Sequence, residues 1–242
     1  QRIAREMNIL QRLEHPNILP FIGIFSQGPA SYLISPWMKN GNALKYVQRN
    51  PEVNCVSLLT QISEGLAYLH GREPLVVHGD LRAENILISD DGNACITDFG
   101  LSELVMPLSN NGVMSAPSTA WYVAGNPRWQ AAEVLVAETK EEARRTKETD
   151  IFAFGRVMIE LFTRDVPFCF AAHDGAVLMA VARGILPERP LGNDIVARGL
   201  NDAMWDLMTQ CWDIDPTKRP SAENIVARLK SVADVVGGDD LR

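Results

Sequence analysis

A predicted β-hairpin near the middle of the chain, flanked by acids and an amide, constrains the fold more than any other feature. Residues 78–100 read HGDLRAENILISDDGNACITDFG, with an apolar run on each side of an Asp-Gly pair. Gly92 suits the turn between these runs, because glycine readily adopts the positive φ that tight hairpins need. Pairing of the two runs brings Asn85 and Asp98 to the same end of one ribbon.

The side chains at this end of the hairpin suit a metal-bound, anionic substrate. The amide of Asn85 and the carboxylate of Asp98 offer Mg²⁺ the hard oxygen ligands that it prefers. The carboxylate of Asp80 is then free to accept the proton of a hydroxyl group. The pattern therefore predicts a site where an anionic substrate is held through a divalent cation.

These motifs resemble those of the protein kinase family, whose catalytic loop reads H-R-D-L-x-x-x-N and whose metal-binding turn reads D-F-G. Three later segments strengthen the resemblance. The family's G-T-x-R-W-x-A-P-E, D-x-x-x-x-G and D-P-x-x-R-P are similar to residues 125–133, 150–155 and 215–220. The segment SPWMKNGN at 35–42 resembles hinges of the tyrosine-kinase-like group, especially its branch expanded in mushroom-forming fungi. The resemblance implies an α+β, protein kinase-like fold with a mainly helical large lobe and a truncated small lobe.

The resemblance also divides the chain, and it covers residues 1 to about 236. Residues 1–35 are the remnant of the small lobe, and residues 36–42 are the hinge between the lobes. Residues 43–236 form the large lobe, and residues 237–242 are a disordered tail.

Apolar spacing and breaking residues predict the local elements. We expect a helix over residues 1–13 and strands over residues 18–25 and 31–37. Residues 150–163 are almost continuously apolar, which is typical of a buried helix. Gly71 is expected to cap a helix in the left-handed region. Apolar stripes predict further helices over residues 58–69, 204–212 and 225–232.

The resemblance implies a catalytic role for the residues of the central motif. Asp80 orients and deprotonates a protein hydroxyl group, and Asn85 and Asp98 hold Mg²⁺. Arg82 lies where serine/threonine kinases usually carry a lysine to the γ-phosphate, and its guanidinium can supply positive charge there. ATP and Mg²⁺ are the expected cofactors, and a protein is the expected substrate.

Six further residues are expected to bind the nucleotide. Glu6 would pair with a strand lysine that holds the phosphates; the alternative is an ordinary surface glutamate. In the family, a small residue lies at the back of the adenine pocket, backbone groups of the hinge bind adenine, and an apolar side chain packs beneath the adenine ring. These positions correspond, in that order, to Ser35, then Pro36, Trp37 and Met38, and then Leu87.

Some positions depart from the family's pattern: Gly79, Arg82, Asn126 and Ala132. Arg82 and Asn126 leave the acceptor open between Ser/Thr and Tyr, although the rest of the resemblance favours Ser/Thr. Gly79 replaces an arginine that normally meets a phosphate on the activation loop, so we expect activity without loop phosphorylation. The loop residues open to modification are Ser115, Ser118, Thr119 and Tyr122.

Two groups of residues are expected to support the site without taking part in the chemistry. Glu133 and Arg219 should form a buried ion pair, and breaking such a pair can cost about 3–5 kcal/mol. An apolar column should tie the first helix to the large lobe. Its members are Leu10, Phe21, His78 and Phe99.

Two functional interpretations follow from these residues. The family's Gly-rich loop and strand lysine do not precede the helix of Glu6. Either the chain is part of an active kinase whose first strands lie outside it, or it is a pseudokinase or kinase-derived scaffold that binds proteins. Retention of Asp80, Asn85 and Asp98 favours the enzyme. These 242 residues by themselves are expected to bind nucleotide weakly or not at all and to transfer little phosphate.

Composition excludes several other classes. The formal net charge of −7 argues against nucleic acid as the main partner, because binding phosphates needs clustered Lys and Arg. Only residues 140–147 (KEEARRTK) are rich in basic residues, and we expect them to form a solvated helix or loop. No apolar run approaches the roughly 18 residues of a membrane span. The four cysteines form no C-x-x-C, which is typical of reduced thiols in the cytoplasm or nucleus. The oligomeric state is left open.

Overall fold

The computed structural model describes residues 2–28, 30–105 and 125–238. The helices are α1 (Arg2–Leu10), α2 (Ala43–Arg49), α3 (Cys55–His70), α4 (Ala132–Leu135), α5 (Lys147–Thr163), α6 (Asp174–Ala182), α7 (Asn193–Ala197), α8 (Asp202–Cys211) and α9 (Ala222–Gly238). The strands are β1 (Gly23–Gln27), β2 (Ala30–Ile34), β3 (Leu75–Val77), β4 (Ile86–Ile88), β5 (Ala94–Ile96) and β6 (Glu103–Val105). They pair antiparallel as β1–β2, β3–β6 and β4–β5. The described residues thus form a helix and a strand pair, followed by a mainly helical region that contains two short antiparallel strand pairs.

The elements before the hinge are shorter than apolar spacing predicts. Helix α1 ends before residue 13, β1 begins after residue 18 and β2 ends before residue 37. The start of the first predicted strand pairs elsewhere. The N–H of Leu19 donates to the carbonyl of Ile96 at 2.9 Å, and the N–H of Ile96 donates to the carbonyl of Asn17 at 2.9 Å. The predicted strand boundary was wrong because these residues pair with β5 instead of their neighbour in the sequence.

Helix α5 forms the centre of the large helical region. Nearly all of its side chains are buried, among them Phe154, Met158 and Leu161, as its continuous apolar run predicts. A capping box starts the helix: the N–H of Thr149 donates to Thr146 Oγ1 at 3.4 Å, and the N–H of Thr146 donates to Thr149 Oγ1 at 3.0 Å. Helices α3, α8 and α9 share the same apolar core with α5.

The other predicted helices are present with small differences at their ends. Helix α3 ends at Gly71 in a right-handed conformation, with φ −86°, so the predicted left-handed cap is wrong. The N–H of Gly71 instead donates to the carbonyl of Ala67 at 2.9 Å and extends the helical pattern. Helix α9 continues to Gly238, beyond the predicted end of the large lobe, and residues 239–242 lie outside the described residues. Among the described helices, none combines the length and the apolar character needed to cross a bilayer.

Candidate active site

Strands β4 and β5 form the hairpin that the sequence predicts. Gly92 lies in the turn with φ +82°, a conformation that glycine adopts without steric cost. Beyond the last strand pair, the N–H of Thr97 donates to the carbonyl of Asn85 at 2.9 Å. Asp98 follows Thr97 directly, so Asn85 and Asp98 lie at the same end of the hairpin.

Asn85 also connects the hairpin to Asp80. Its side-chain Nδ2 donates to the backbone carbonyl of Asp80 at 2.9 Å and to the carboxylate Oδ2 of Asp80 at 3.1 Å. Asn85 is buried, which holds this orientation in place. Because the amide nitrogen faces Asp80, the amide oxygen is the atom that can face a cation. The structure therefore joins two of the predicted site residues directly and places the third beside them.

Asp98 has an unusual backbone conformation, with φ 58° and ψ 73°. Non-glycine residues rarely adopt this left-handed region, so surrounding contacts must hold Asp98 there. Its Oδ1 accepts a hydrogen bond from the N–H of Gly100 at 3.2 Å. The next residue, Phe99, is fully buried, and its ring meets the ring of His78 edge-on at 5.1 Å between centroids. The same apolar core includes the other predicted members of the column, Leu10 and Phe21.

The donor set at the end of the hairpin fits Mg²⁺. Within the described ranges, no group of three or more His, Cys, Asp or Glu side chains could hold a metal ion. An amide and one carboxylate are nevertheless sufficient for Mg²⁺, because this ion keeps several waters and is often completed by substrate phosphates. Asn85 and Asp98 supply the hard oxygens that such a site requires.

Asp150, at the start of α5, holds the backbone of the loop that carries Asp80. Its Oδ2 accepts from the N–H of His78 at 2.8 Å, and its Oδ1 accepts from the N–H of Gly79 at 2.8 Å. The ring Nε2 of His70 lies 3.0 Å from the same carboxylate. Since Asp150 is buried, removing it would leave these loop amides without an acceptor. Asp150 matches a family motif in the sequence, but its role as an acceptor for these loop amides is apparent only in the folded structure.

The ring of His78 links the same loop to the hairpin. Nε2 lies 2.9 Å from the carbonyl of Thr97 and donates to it, and Nδ1 accepts from the N–H of Asp80 at 3.3 Å. One nitrogen donates and the other accepts, so the ring is neutral in this arrangement. His78 is fully buried, in agreement with the predicted structural role.

Arg82 lies against an aromatic ring and a neighbouring acid. Its guanidinium is 5.5 Å from the ring centroid of Trp129 and pairs with Glu84 at 2.6 Å. Trp129 Nε1 donates to Oε2 of the fully buried Glu160 at 2.6 Å, and the N–H of Ala83 donates to the same oxygen at 3.0 Å. Burial raises the pKa of Glu160 to about 8. Glu160, which sequence analysis missed, therefore joins the catalytic loop to the segment after Gly125.

The basic segment before α5 is not solvated throughout, so that prediction was wrong for Ala143 and Arg145, which are buried. Arg145 is only 2% exposed. A Cβ placed on Gly79 would lie 2.7 Å from Arg145 Cδ, and a Cβ placed on Gly125 would lie 3.4 Å from Arg145 Nη2. The side chain thus fills the space beside two glycines, whereas its neighbour Arg144 is half exposed and pairs with Glu103 at 2.8 Å.

The predicted nucleotide-binding residues lie along the hinge and β4. The N–H of Gly41 donates to the carbonyl of Met38 at 3.1 Å, and the N–H of Ile88 donates to the carbonyl of Gly41 at 2.9 Å. These bonds hold the hinge beside Leu87, which is half-buried. Trp37 is 85% exposed. Glu6 and Ser35 are half-buried, and Pro36 is exposed.

The predicted ion pair of Glu133 and Arg219 is present. Arg219 Nη1 and Nη2 donate to the two carboxylate oxygens at 2.6 and 2.9 Å, which is a bidentate geometry. The side chain of Arg219 is 1% exposed, but that of Glu133 is 30% exposed. The pair is therefore buried on the arginine side only.

Two predictions concern the segment between the hairpin and α4. Asn126 Oδ1 accepts from the N–H of Arg128 at 3.0 Å, so its side chain faces its own loop. Ser115, Ser118, Thr119 and Tyr122 lie outside the described residues.

The family model described as protein kinase domain matches residues 1–229. The chain belongs to the protein kinase family. The α+β kinase fold with a helical large lobe, expected from the sequence motifs, is thereby confirmed. Kinases of this family use ATP and Mg²⁺ and act on proteins.

Curated relatives of this kinase domain are also protein kinases. The chain is 29% identical over 232 residues to the serine/threonine-protein kinase CTR1 of Arabidopsis thaliana, covering 93% of this chain and 26% of that protein. It is 26% identical to the serine/threonine-protein kinase STY46 of Arabidopsis thaliana, covering 98% and 38%. It is 27% identical to the dual specificity protein kinase splA of Dictyostelium discoideum, covering 95% and 10%. The chain thus spans well under half the length of these relatives.

Proposed function

We propose that this kinase domain transfers the γ-phosphate of ATP to a protein hydroxyl group in signal transduction, with Ser or Thr as the acceptor. The observation that carries the proposal is the hydrogen-bonded connection from Asp80 through Asn85 to the hairpin end that bears Asp98. A scaffold that only binds proteins needs none of these three side chains. The names of the relatives also favour the enzyme over the pseudokinase.

Asn85 and Asp98 would hold Mg²⁺ through oxygen atoms. When bound, the ion neutralises charge on the nucleotide phosphates and orients them. The hydrogen bonds from Asn85 Nδ2 to Asp80 turn the amide oxygen away from that carboxylate. Asp98 has a left-handed backbone conformation, so the direction of its carboxyl group is not set by the extended backbone of β5.

Asp80 would accept the proton of the substrate hydroxyl group. A general base must be held within hydrogen-bond reach of the proton that it removes. Asp150 and His78 hold the backbone around Asp80, and Asn85 holds its carboxylate. Arg82 would contribute positive charge near the substrate from its position beside Trp129.

The hinge and β4 would receive the adenine, with backbone groups of residues 36–38 facing it and Leu87 beneath it. Glu6 on α1 would pair with the phosphate-holding lysine of a complete small lobe. In this proposal residues 1–35 belong to the small lobe and residues 43–236 to the large lobe. The four free cysteines favour a cytoplasmic or nuclear location.

The preference for Ser/Thr rests on the two plant relatives, which are named serine/threonine kinases. One relative is named a dual specificity kinase, so tyrosine is the competing acceptor to be measured.

The test compares Asp80→Asn and Asp98→Asn with Asp91→Asn in the full-length protein. Asp91 is a suitable control because it lies in the turn of the same hairpin and is exposed. We expect the first two variants to lose phosphotransfer by about 10²–10⁴-fold with unchanged thermal unfolding, and the control to keep it. Transfer from ATP–Mg²⁺ is measured on peptide libraries that contain Ser/Thr or Tyr as the only acceptor. Undiminished transfer by Asp80→Asn would refute the proposed mechanism.

A further inference from the structure

The catalytic loop of this kinase lacks the arginine of the family pattern, and a different arginine lies against the same loop. Gly79 has φ +79°, and a Cβ at this position would lie 2.7 Å from Arg145 Cδ and 2.9 Å from the carbonyl of Leu101. A larger residue at position 79 would therefore displace Arg145. The buried position of Arg145 therefore requires a glycine at position 79.

Arg145 is held in a buried, negatively charged environment. Its exposure is 2%, and burial lowers its pKa while the nearby carboxylates raise it. Those carboxylates belong to Asp80, Asp150 and Glu103. A buried cation is stable only when charges or hydrogen-bonding groups compensate it, and these carboxylates supply part of that compensation.

Arg145 also reaches the segment that follows Gly125. Its Nη2 lies 3.4 Å from the position that a Cβ on Gly125 would occupy. The side chain therefore extends from the catalytic loop to the beginning of the loop that precedes α4. Arg145, Asp80 and Asn126 line one cavity of about 20 Å³. A cavity of this size has room for about one water.

We propose that Arg145 is a positioning residue that holds the Asp80 loop and the segment after Gly125 together without a phosphate on the activation loop. It thereby replaces the link between these segments that a catalytic-loop arginine forms when it binds a phosphate on the activation loop. It also compensates for Asn126, whose side-chain oxygen accepts from the N–H of Arg128 in its own loop. This inference rests on the proposed phosphotransfer for its kinetic test but not for its structural test.

The experiment uses the full-length protein in which Ser115, Ser118, Thr119 and Tyr122 are replaced by Ala, Ala, Ala and Phe. Arg145→Met, Arg145→Gln and Arg145→Lys are made in this background. Arg144→Met is the matched control, because Arg144 is adjacent in sequence but half exposed. The measurements are kcat, the KM for ATP, and the amide hydrogen exchange of residues 79–82 and 126–131.

We expect the background protein to keep its activity. Arg145→Met and Arg145→Gln should lower kcat by about 100-fold with little change in the KM for ATP, since misplacement of a catalytic group mainly slows the chemical step. Amide exchange in both segments should become about tenfold faster, because their local opening is no longer opposed. Arg145→Lys, which keeps the charge, should recover most of both losses, and Arg144→Met should change neither.

Three results would overturn the inference: wild-type kcat and exchange in Arg145→Met, loss of activity in the background protein alone, or unfolding of both the Met and Gln variants. The last result would make Arg145 a general core residue. If the wild-type protein transfers no phosphate, the proposed function fails, and the exchange measurements still decide the role of Arg145.

Discussion

Replacement of Glu160 tests how α5 holds the active site together. Oε2 of Glu160 accepts from the N–H of Ala83 at 3.0 Å and from Trp129 Nε1 at 2.6 Å, and all three groups are buried. Glu160→Leu removes the acceptor and leaves both donors unpaired. A buried unpaired donor costs about 1–3 kcal/mol, so we expect the free energy of unfolding to fall by about 2–6 kcal/mol.

The protonation state of Glu160 gives this prediction a second part. Burial raises its pKa from 4.5 to about 8, so the folded protein holds a proton that the unfolded chain releases between these pH values. Stability from this group is therefore fully present below pH 4.5 and is lost as the pH rises toward 8. The full shift corresponds to a decrease of up to about 5 kcal/mol in the free energy of unfolding. Glu160→Gln resembles the protonated side chain, so it should remove most of this decrease and change stability little only near pH 4.5, where the wild-type protein has not yet lost it.

The assay is urea denaturation followed by circular dichroism at several pH values from 5 to 8.5. Glu141→Gln is the control, because Glu141 is exposed and is not among the groups that shift the pKa of Glu160. Two results would refute the reasoning: a Glu160→Leu protein within about 0.5 kcal/mol of wild type, which is the range of an ordinary surface substitution, or an unchanged pH dependence in Glu160→Gln.

Three other substitutions test the supporting contacts. Glu133→Gln removes the charged partner of the buried Arg219, so urea denaturation should show a free energy of unfolding lower by about 2 kcal/mol. This loss is smaller than for a fully buried pair because Glu133 is 30% exposed, and an unchanged midpoint would contradict it. Asp150→Ala leaves the N–H groups of His78 and Gly79 without an acceptor, so the free energy of unfolding should fall by about 2–6 kcal/mol. Hydrogen exchange of these two amides should become faster, and retained protection would exclude the role of Asp150 in holding the loop. Gly155→Ala places a Cβ 2.4 Å from Trp212 Nε1, so overpacking should lower the free energy of unfolding by about 1–3 kcal/mol, measured by thermal unfolding. Stability equal to that of the wild type would show that the Trp212 side chain can move aside.

Much of the candidate site could be predicted because its geometry is local in sequence. Asn85 and Asp98 flank a hairpin whose turn contains Gly92, and short-range strand pairing is sufficient to bring the two residues together. Helix α5 could be predicted for a similar reason, since a helix that is apolar on all sides must be buried.

The same local rules failed for the first predicted strand. Apolar spacing marked residues 18–25 as extended but did not say which strand they pair with. In the fold, Leu19 pairs with Ile96, about eighty positions later, and pairing with β2 begins at Ile22, whose N–H donates to the carbonyl of Ile34 at 2.9 Å. Strand pairing depends on which backbone lies alongside, and a single segment does not contain that information.

The sequence by itself determined the protein kinase family, the hairpin that carries Asn85 and Asp98, and the buried central helix, because each follows from neighbouring residues. Only the tertiary structure decided that Arg145 is buried beside Gly79 and that Glu160 accepts from Ala83 and Trp129. A charged side chain is expected at the surface unless distant parts of the chain supply its partners. Those partners become neighbours only when the chain folds.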